Sequence, residues 1–120
     1  MKPTLLALLL ILGFTLAAGA QENPLAGVID IHVHCAPDST PRSIDAIDIA
    51  RLAKKRGMGG LVLKNHYEPT ASLAYVVRKE VPGIEVFGGV DLNLSVGGMN
   101  PSAVEHMAAT TGGYGRFVWM

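Results

Sequence analysis

The chain has 120 residues, ten Lys and Arg against ten Asp and Glu, and 49% hydrophobic residues. That balance suits one folded unit and excludes a disordered tail or a nucleic-acid binder relying on positive charge. Neutrality removes the easy partners.

At the start, Lys2 precedes the apolar run Leu5 to Ala17, and Ala18-Gly19-Ala20 leads into Gln21-Glu22-Asn23-Pro24. A short basic start, an apolar stretch of about 13 residues and small residues before the cleavage point predict a secretory signal peptide over 1–20. A membrane anchor needs about 20 apolar residues. The expectation is therefore export to the periplasm or exterior, with no stable membrane insertion after cleavage. No Cys follows the run, which speaks against a lipoprotein. Residues 21–27 read as a linker, and residues 28–120 as the folded domain. Cys35 is the only cysteine, so an intrachain disulfide is excluded, and it reads as a small apolar filler rather than a nucleophile.

Beyond the linker, strands are predicted at Val28 to His34, Gly60 to His66, Ile84 to Asn93 and Arg116 to Met120. Helical patterns lie between them. The first opens at Arg42 or Ser43 and runs to Arg56, with Ala46, Ile49, Ala50 and Ala53 on one apolar stripe and Gly57 as its stop. The second begins near Thr70 after Pro69, buries Leu73, Val76, Val77 and Val81, and ends at Pro82-Gly83. The third is capped by Asn100-Pro101, buries Val104, Met107 and Ala108, and ends before Gly112-Gly113. Strand starts recur at intervals of about 30 residues, one strand plus one helix. Such alternation predicts an α/β fold with a parallel sheet.

Within the first strand, alternation sends Ile29, Ile31 and Val33 one way and Asp30, His32 and His34 the other. Lys64 and His66 share a face at the end of the second strand, and Asp91 and Asn93 at the end of the third. These polar sets converge on the C-terminal edge of the sheet, where a barrel places its active site. The expected fold is a (β/α) TIM-like barrel with about four βα units present. A whole barrel needs about 250 residues, so the chain reads as truncated, the N-terminal half only. A doubly wound open sheet is the alternative. Against it, His34-Cys35-Ala36-Pro37-Asp38 stands where a Gly-rich phosphate loop would follow the first strand.

His-x-His at a strand end puts two imidazoles about 6.5 to 7 Å apart at Cα, within reach of one cation. A divalent metal, Zn before Fe, Mn or Ni, would accept them and activate a bound water at neutral pH. The alternative is that both histidines are ordinary residues of a packed sheet. Their company, with Asp30 before them and His66 and Asp91 ending the next two strands, favours the metal.

The segments "VIDIHVH", "ARLAKKRGMGGLVLKNH" and "GIEVFGGVDLN", covering residues 28 to 93, resemble the start of an amidohydrolase-superfamily metal-dependent hydrolase, with features of the polymerase and histidinol phosphatase (PHP) type. By that resemblance His32 and His34 are metal ligands, His66 matches the PHP histidine after the second strand, and Asp91 stands where PHP proteins commonly carry Glu. Asn65 replaces the aspartate that usually precedes that histidine. Lys64 comes from the second strand, whereas the carbamylated lysine of many amidohydrolases comes from the fourth. It reads instead as a cation for a substrate carboxylate or phosphate, or as a lysine reaching out from the sheet edge. Arg116 could act similarly.

The function that the resemblance implies is hydrolysis of an amide, ester or lactone by metal-activated water, with a small-molecule substrate as the partner. A PHP-type phosphoesterase is one alternative. Another is a non-catalytic exported metal- or ligand-binding module, including an oligomer whose partner completes the sheet, or an inactive truncated fragment. The usual late-strand aspartate that shuttles the proton is absent from this sequence. Asp38 and Ser39 read as helix caps, and His106 as solvent-facing.

Overall fold

A computed structural model describes residues 22–120; the expected signal peptide over 1–20 lies outside the described residues. Four parallel strands, β1 (Ile29–Val33), β2 (Gly60–Leu63), β3 (Glu85–Asp91) and β4 (Gly115–Trp119), form one sheet in the order β1-β2-β3-β4. Helices α1 (Ala46–Lys55), α2 (Ala71–Glu80) and α3 (Pro101–Ala109) make the crossovers, with a short 3-10 turn at Leu94–Val96 before α3. The α/β expectation holds. Among the described residues the sheet is open, with β1 and β4 as its edges, so no closed barrel is formed. No helix among them is long and apolar enough to cross a membrane.

Val33, Leu61, Leu63 and Val86 point toward the helices and pack on Ala46, Ala50 and Ala53 of α1 and Ala74 and Val77 of α2. Alanines on the helix side allow close approach of helix to sheet, while the branched strand residues fill the layer. Val90, Ala71 and Met107 continue this core toward α3.

The Gly88-Gly89 pair of β3 serves both faces of the sheet. A Cβ on Gly88 would collide with the Thr70–Ala71 backbone, and one on Gly89 with the Phe117 carbonyl and the Trp119 ring. Thr70, fully buried, uses the space: its hydroxyl donates to the Leu63 carbonyl (2.6 Å) and accepts from the Gly89 amide (2.9 Å). The start of α2 is thereby stitched across the ends of β2 and β3.

Several boundaries differ from expectation for identifiable reasons. Helix α1 starts at Ala46, not at Arg42 or Ser43, because the Ala36 amide donates to Ile44 O and the Ala46 amide to Ala36 O, each at 2.9 Å. Asp45, not Asp38 or Ser39, is its cap, accepting from the Ile47 and Asp48 amides at 2.8 Å. Asp38 instead binds Arg42, at 2.7 Å from Nε. In α2 the buried stripe is Ala71, Ala74 and Val77; Val76 is 52% exposed, because the Thr70 anchor fixes the helix's rotation. In α3 Met107 is buried but Ala108 faces solvent.

One difference bears on the site. In β1 Ile29 pairs with Gly60 and Asp30 with Leu61, but Val33 pairs with Leu63, so three steps of β1 span two of β2. This bulge breaks strict alternation. Asp30 shares the helix side with its neighbour Leu61 and lines a cleft with Ile49, Leu52 and Ala53 of α1. Its carboxylate nevertheless stays with the histidines: it accepts from the His32 amide at 3.0 Å, and His32 and His34 line the same cleft.

Candidate functional site

Val33 anchors the end of β1 in the core, and Cys35 is wholly buried in the same layer. His34, between them, is turned toward the opposite side. Burial, followed by the nearby Asp38 and Asp45 carboxylates, pushes the Cys35 thiol up to about 11. It is therefore a neutral filler at physiological pH, as its sequence context implied.

The structure gathers the sequence-predicted site residues at the C-terminal edge. His32 Nε2 and His34 Nε2 are 3.2 Å apart. The His34 and His66 rings follow at 4.7 Å between centroids, and His66 Nδ1 lies 3.2 Å from Asp91 Oδ2. The same Asp91 oxygen is 3.1 Å from the Lys64 ammonium, which sits 5.2 Å from the centre of the Trp119 ring. Lys64 and Asp91 are buried. Three consecutive strand ends thus contribute one unbroken polar line, from His32 to Lys64.

The electrostatics differ along that line. Burial, reinforced by the Arg42 charge and the neighbouring histidines, lowers the His34 pKa below its ordinary 6.5, with only the Lys64 backbone opposing. His34 is consequently neutral at pH 7, with a lone pair to offer. Its Nδ1 is buried and unpaired among the described residues. At Asp91 burial alone would raise the pKa, but hydrogen bonds from Lys64 and His66 and their charges outweigh it and hold the carboxyl below its ordinary 3.8. Asp91 is an anion stabilised by two partners.

Among the described residues, no group of three or more His, Cys, Asp or Glu side chains stands ready to hold a metal ion. The local reason is visible in the contacts: the Asp91 oxygen nearest the histidines is taken by Lys64. The His32–His34 pair nevertheless has a chelating spacing. Two nitrogens each about 2.0 Å from a tetrahedral zinc stand about 3.3 Å apart, close to the observed 3.2 Å.

Asn65 and Asn93, both noted in the sequence, hold this edge together through bonds the sequence did not foretell. Asn65 Nδ2 donates to Pro37 O (2.8 Å), tying the loop after β2 to the loop after β1. Asn93 Nδ2 donates to His66 O (2.7 Å), tying the loop after β3 to the loop after β2. Trp119 was missed as a site residue, although a Gly-Gly pair inside a strand signals close approach of a neighbour. Arg116 is exposed, on the face of β4 opposite Trp119, and does not join the site. His106 is exposed on α3, as expected.

No curated protein and no solved structure matches the chain. A family model matches residues 27–120, the whole of the sheet and its helices, and the chain therefore belongs to a family of unknown function, DUF6282.

Proposed function

We propose that the histidines at the end of β1 seed the divalent metal site of a metal-dependent hydrolase of the amidohydrolase type, and that the four-stranded sheet is an arc of a (β/α) barrel. The 3.2 Å spacing of His32 Nε2 and His34 Nε2 at the C-terminal edge of a parallel sheet carries this reading. Nitrogen ligands beside a carboxylate suit zinc best, with Fe, Mn or Ni as weaker matches. The bound metal would act as a Lewis acid and activate water for attack on an amide, ester or lactone.

The chain's own residues have separable tasks. His32 and His34 would hold the metal, His34 being neutral without competition from a proton. His66 is oriented by Asp91: with the carboxylate ionised, Nδ1–H would donate to it, and Nε2 would be the nitrogen free to ligate. Asp91, expected as a ligand, thus fits better as the group that fixes the His66 tautomer. Lys64, expected to meet a substrate anion, is committed to keeping Asp91 ionised. Export by the N-terminal segment belongs to the same proposal.

A second reading, a metal- or ligand-binding module without turnover, is favoured by one observation. Asp91, the carboxylate on this polar line, is engaged twice, so no free proton carrier stands there.

Calorimetric titration of the metal-free protein with zinc tests the assignment. One equivalent should bind, and the His32→Ala/His34→Ala double variant should bind at least about 100-fold more weakly, given that even supporting groups change metal affinity 10–100-fold. Stoichiometric zinc in the double variant would sink it. Turnover of a lactone, an anilide or a phosphomonoester by the zinc form separates hydrolase, phosphoesterase and binding module.

A further inference from the structure

Immediately beyond His66, a cleft of about 470 Å³ opens between the β2–α2 and β3–α3 loops, lined by His66, Tyr67, Asn93, Leu94 and Ser95. Its two large apolar walls are open to solvent. Tyr67 is 52% exposed and Leu94 93% exposed. Leu94 is presented by an ordered turn: the Val96 and Gly98 amides donate to Asn93 O at 3.1 and 2.9 Å, and the Gly97 amide to Leu94 O at 3.0 Å. Gly97 and Gly98, at φ of 91° and 67°, supply the left-handed backbone this turn requires. The hydrogen bond that Asn93 Nδ2 donates to His66 O fixes the turn to the site. A polar residue would satisfy the geometry of the turn equally well, yet a leucine stands there beside an exposed tyrosine ring, next to the histidines.

We propose that this cleft is the subsite for the apolar portion, an aryl or branched alkyl group, of the substrate whose scissile bond lies at the histidines; this rests on the hydrolase reading above. The volume is that of a small-ligand pocket. The apolar group lies between the Tyr67 ring and the Leu94 side chain, and the Ser95 hydroxyl provides a hydrogen bond at the edge. Covering Leu94 removes apolar surface from water, which favours a hydrophobic group over a short polar one.

The full chain, metal-free and zinc-loaded, titrated with N-methylbenzamide and with N-methylacetamide while the backbone amide resonances are followed by NMR, tests this. The benzamide should shift Tyr67, Leu94 and Ser95 saturably and bind about tenfold or more tightly than the acetamide. Leu94→Ala, a change at an exposed position that leaves the core intact, should reduce that preference severalfold. Equal affinities for the two amides, shifts centred elsewhere on the molecule, or a preference unchanged in both Leu94→Ala and Tyr67→Ala would overturn the subsite. The zinc arm keeps the two readings apart. Zinc uptake that depends on His32 and His34 without any aryl preference overturns the subsite alone. An aryl preference in a protein that takes up no zinc supports the cleft as an apolar binding site and removes the hydrolase reading instead.

Discussion

The two ends of the sheet use similar residues to opposite effect. At the N-terminal end Arg78 donates to both oxygens of Glu85, at 2.6 and 3.0 Å, and its guanidinium lies over the Tyr114 ring at 4.3 Å. One cation meets one anion and is covered by an aromatic ring. At the C-terminal end Asp91 is shared by Lys64 and His66, while the Nε2 atoms of His32 and His34 face each other with no carboxylate between them. Polar groups at the first end satisfy one another; at the second, nitrogen lone pairs are left over. (β/α) barrels divide their two ends in this way between stability and chemistry, and the proposed metal site lies at the second.

Zinc should break the symmetry most strongly. At about 1,000 times its dissociation constant it would stabilise the folded chain by about 4 kcal/mol, read as a shift in the urea midpoint. Arg78→Ala should keep that increment although its baseline falls, whereas His32→Ala/His34→Ala should abolish it.

Gly89→Ala comes next, with an expected cost of about 3 kcal/mol in urea denaturation. The new methyl meets the Phe117 carbonyl and the Trp119 ring, and yielding would lift Trp119 from Lys64. A variant as stable as the parent would show that Trp119 does not lie against β3.

Thr70→Val should cost about 2 kcal/mol, since it strands the buried Gly89 amide and Leu63 carbonyl without the hydroxyl. Thr70→Ser should recover most of the loss. Because these bonds lie beneath the C-terminal edge, amide exchange at His66 and Asp91 should accelerate in Thr70→Val while Glu85 stays protected.

The strand-helix alternation was legible because Val, Ile and Leu runs separated by amphipathic helices admit few arrangements, and the polar strand ends told which edge matters. His32, His34, His66, Lys64 and Asp91 do meet there. What escaped was set by contacts across the fold. The β1 bulge that moves Asp30 to the helix side depends on pairing with β2, which β1's own residues do not encode. The rotation of α2 that exposes Val76 follows from Thr70 binding two other strands. The Trp119 ring beside Lys64 rests on Gly89, a contact between residues 30 apart in sequence.

The smallest effect concerns acid. The Arg78 hydrogen bond, against a modest opposing influence of burial and with Arg78's charge assisting, holds the Glu85 carboxyl below its ordinary 4.5. A depressed folded-state pKa means stabilisation that is fully present above the ordinary value and is lost as pH falls through the folded one. Stability measured from pH 6 downward should therefore decline below about pH 4.5, and Glu85→Gln should flatten part of that limb. The side chain is 54% exposed, so solvent screening keeps the difference under about 1 kcal/mol. Asp91→Asn should flatten the same limb but also weaken zinc binding, because a neutral amide, with one oxygen replaced by a donor, holds the His66 tautomer less firmly than the carboxylate. Glu85→Gln should leave zinc affinity untouched at pH 7; a Glu85→Gln protein that bound zinc more weakly would mean that the two ends are coupled through β3 rather than independent.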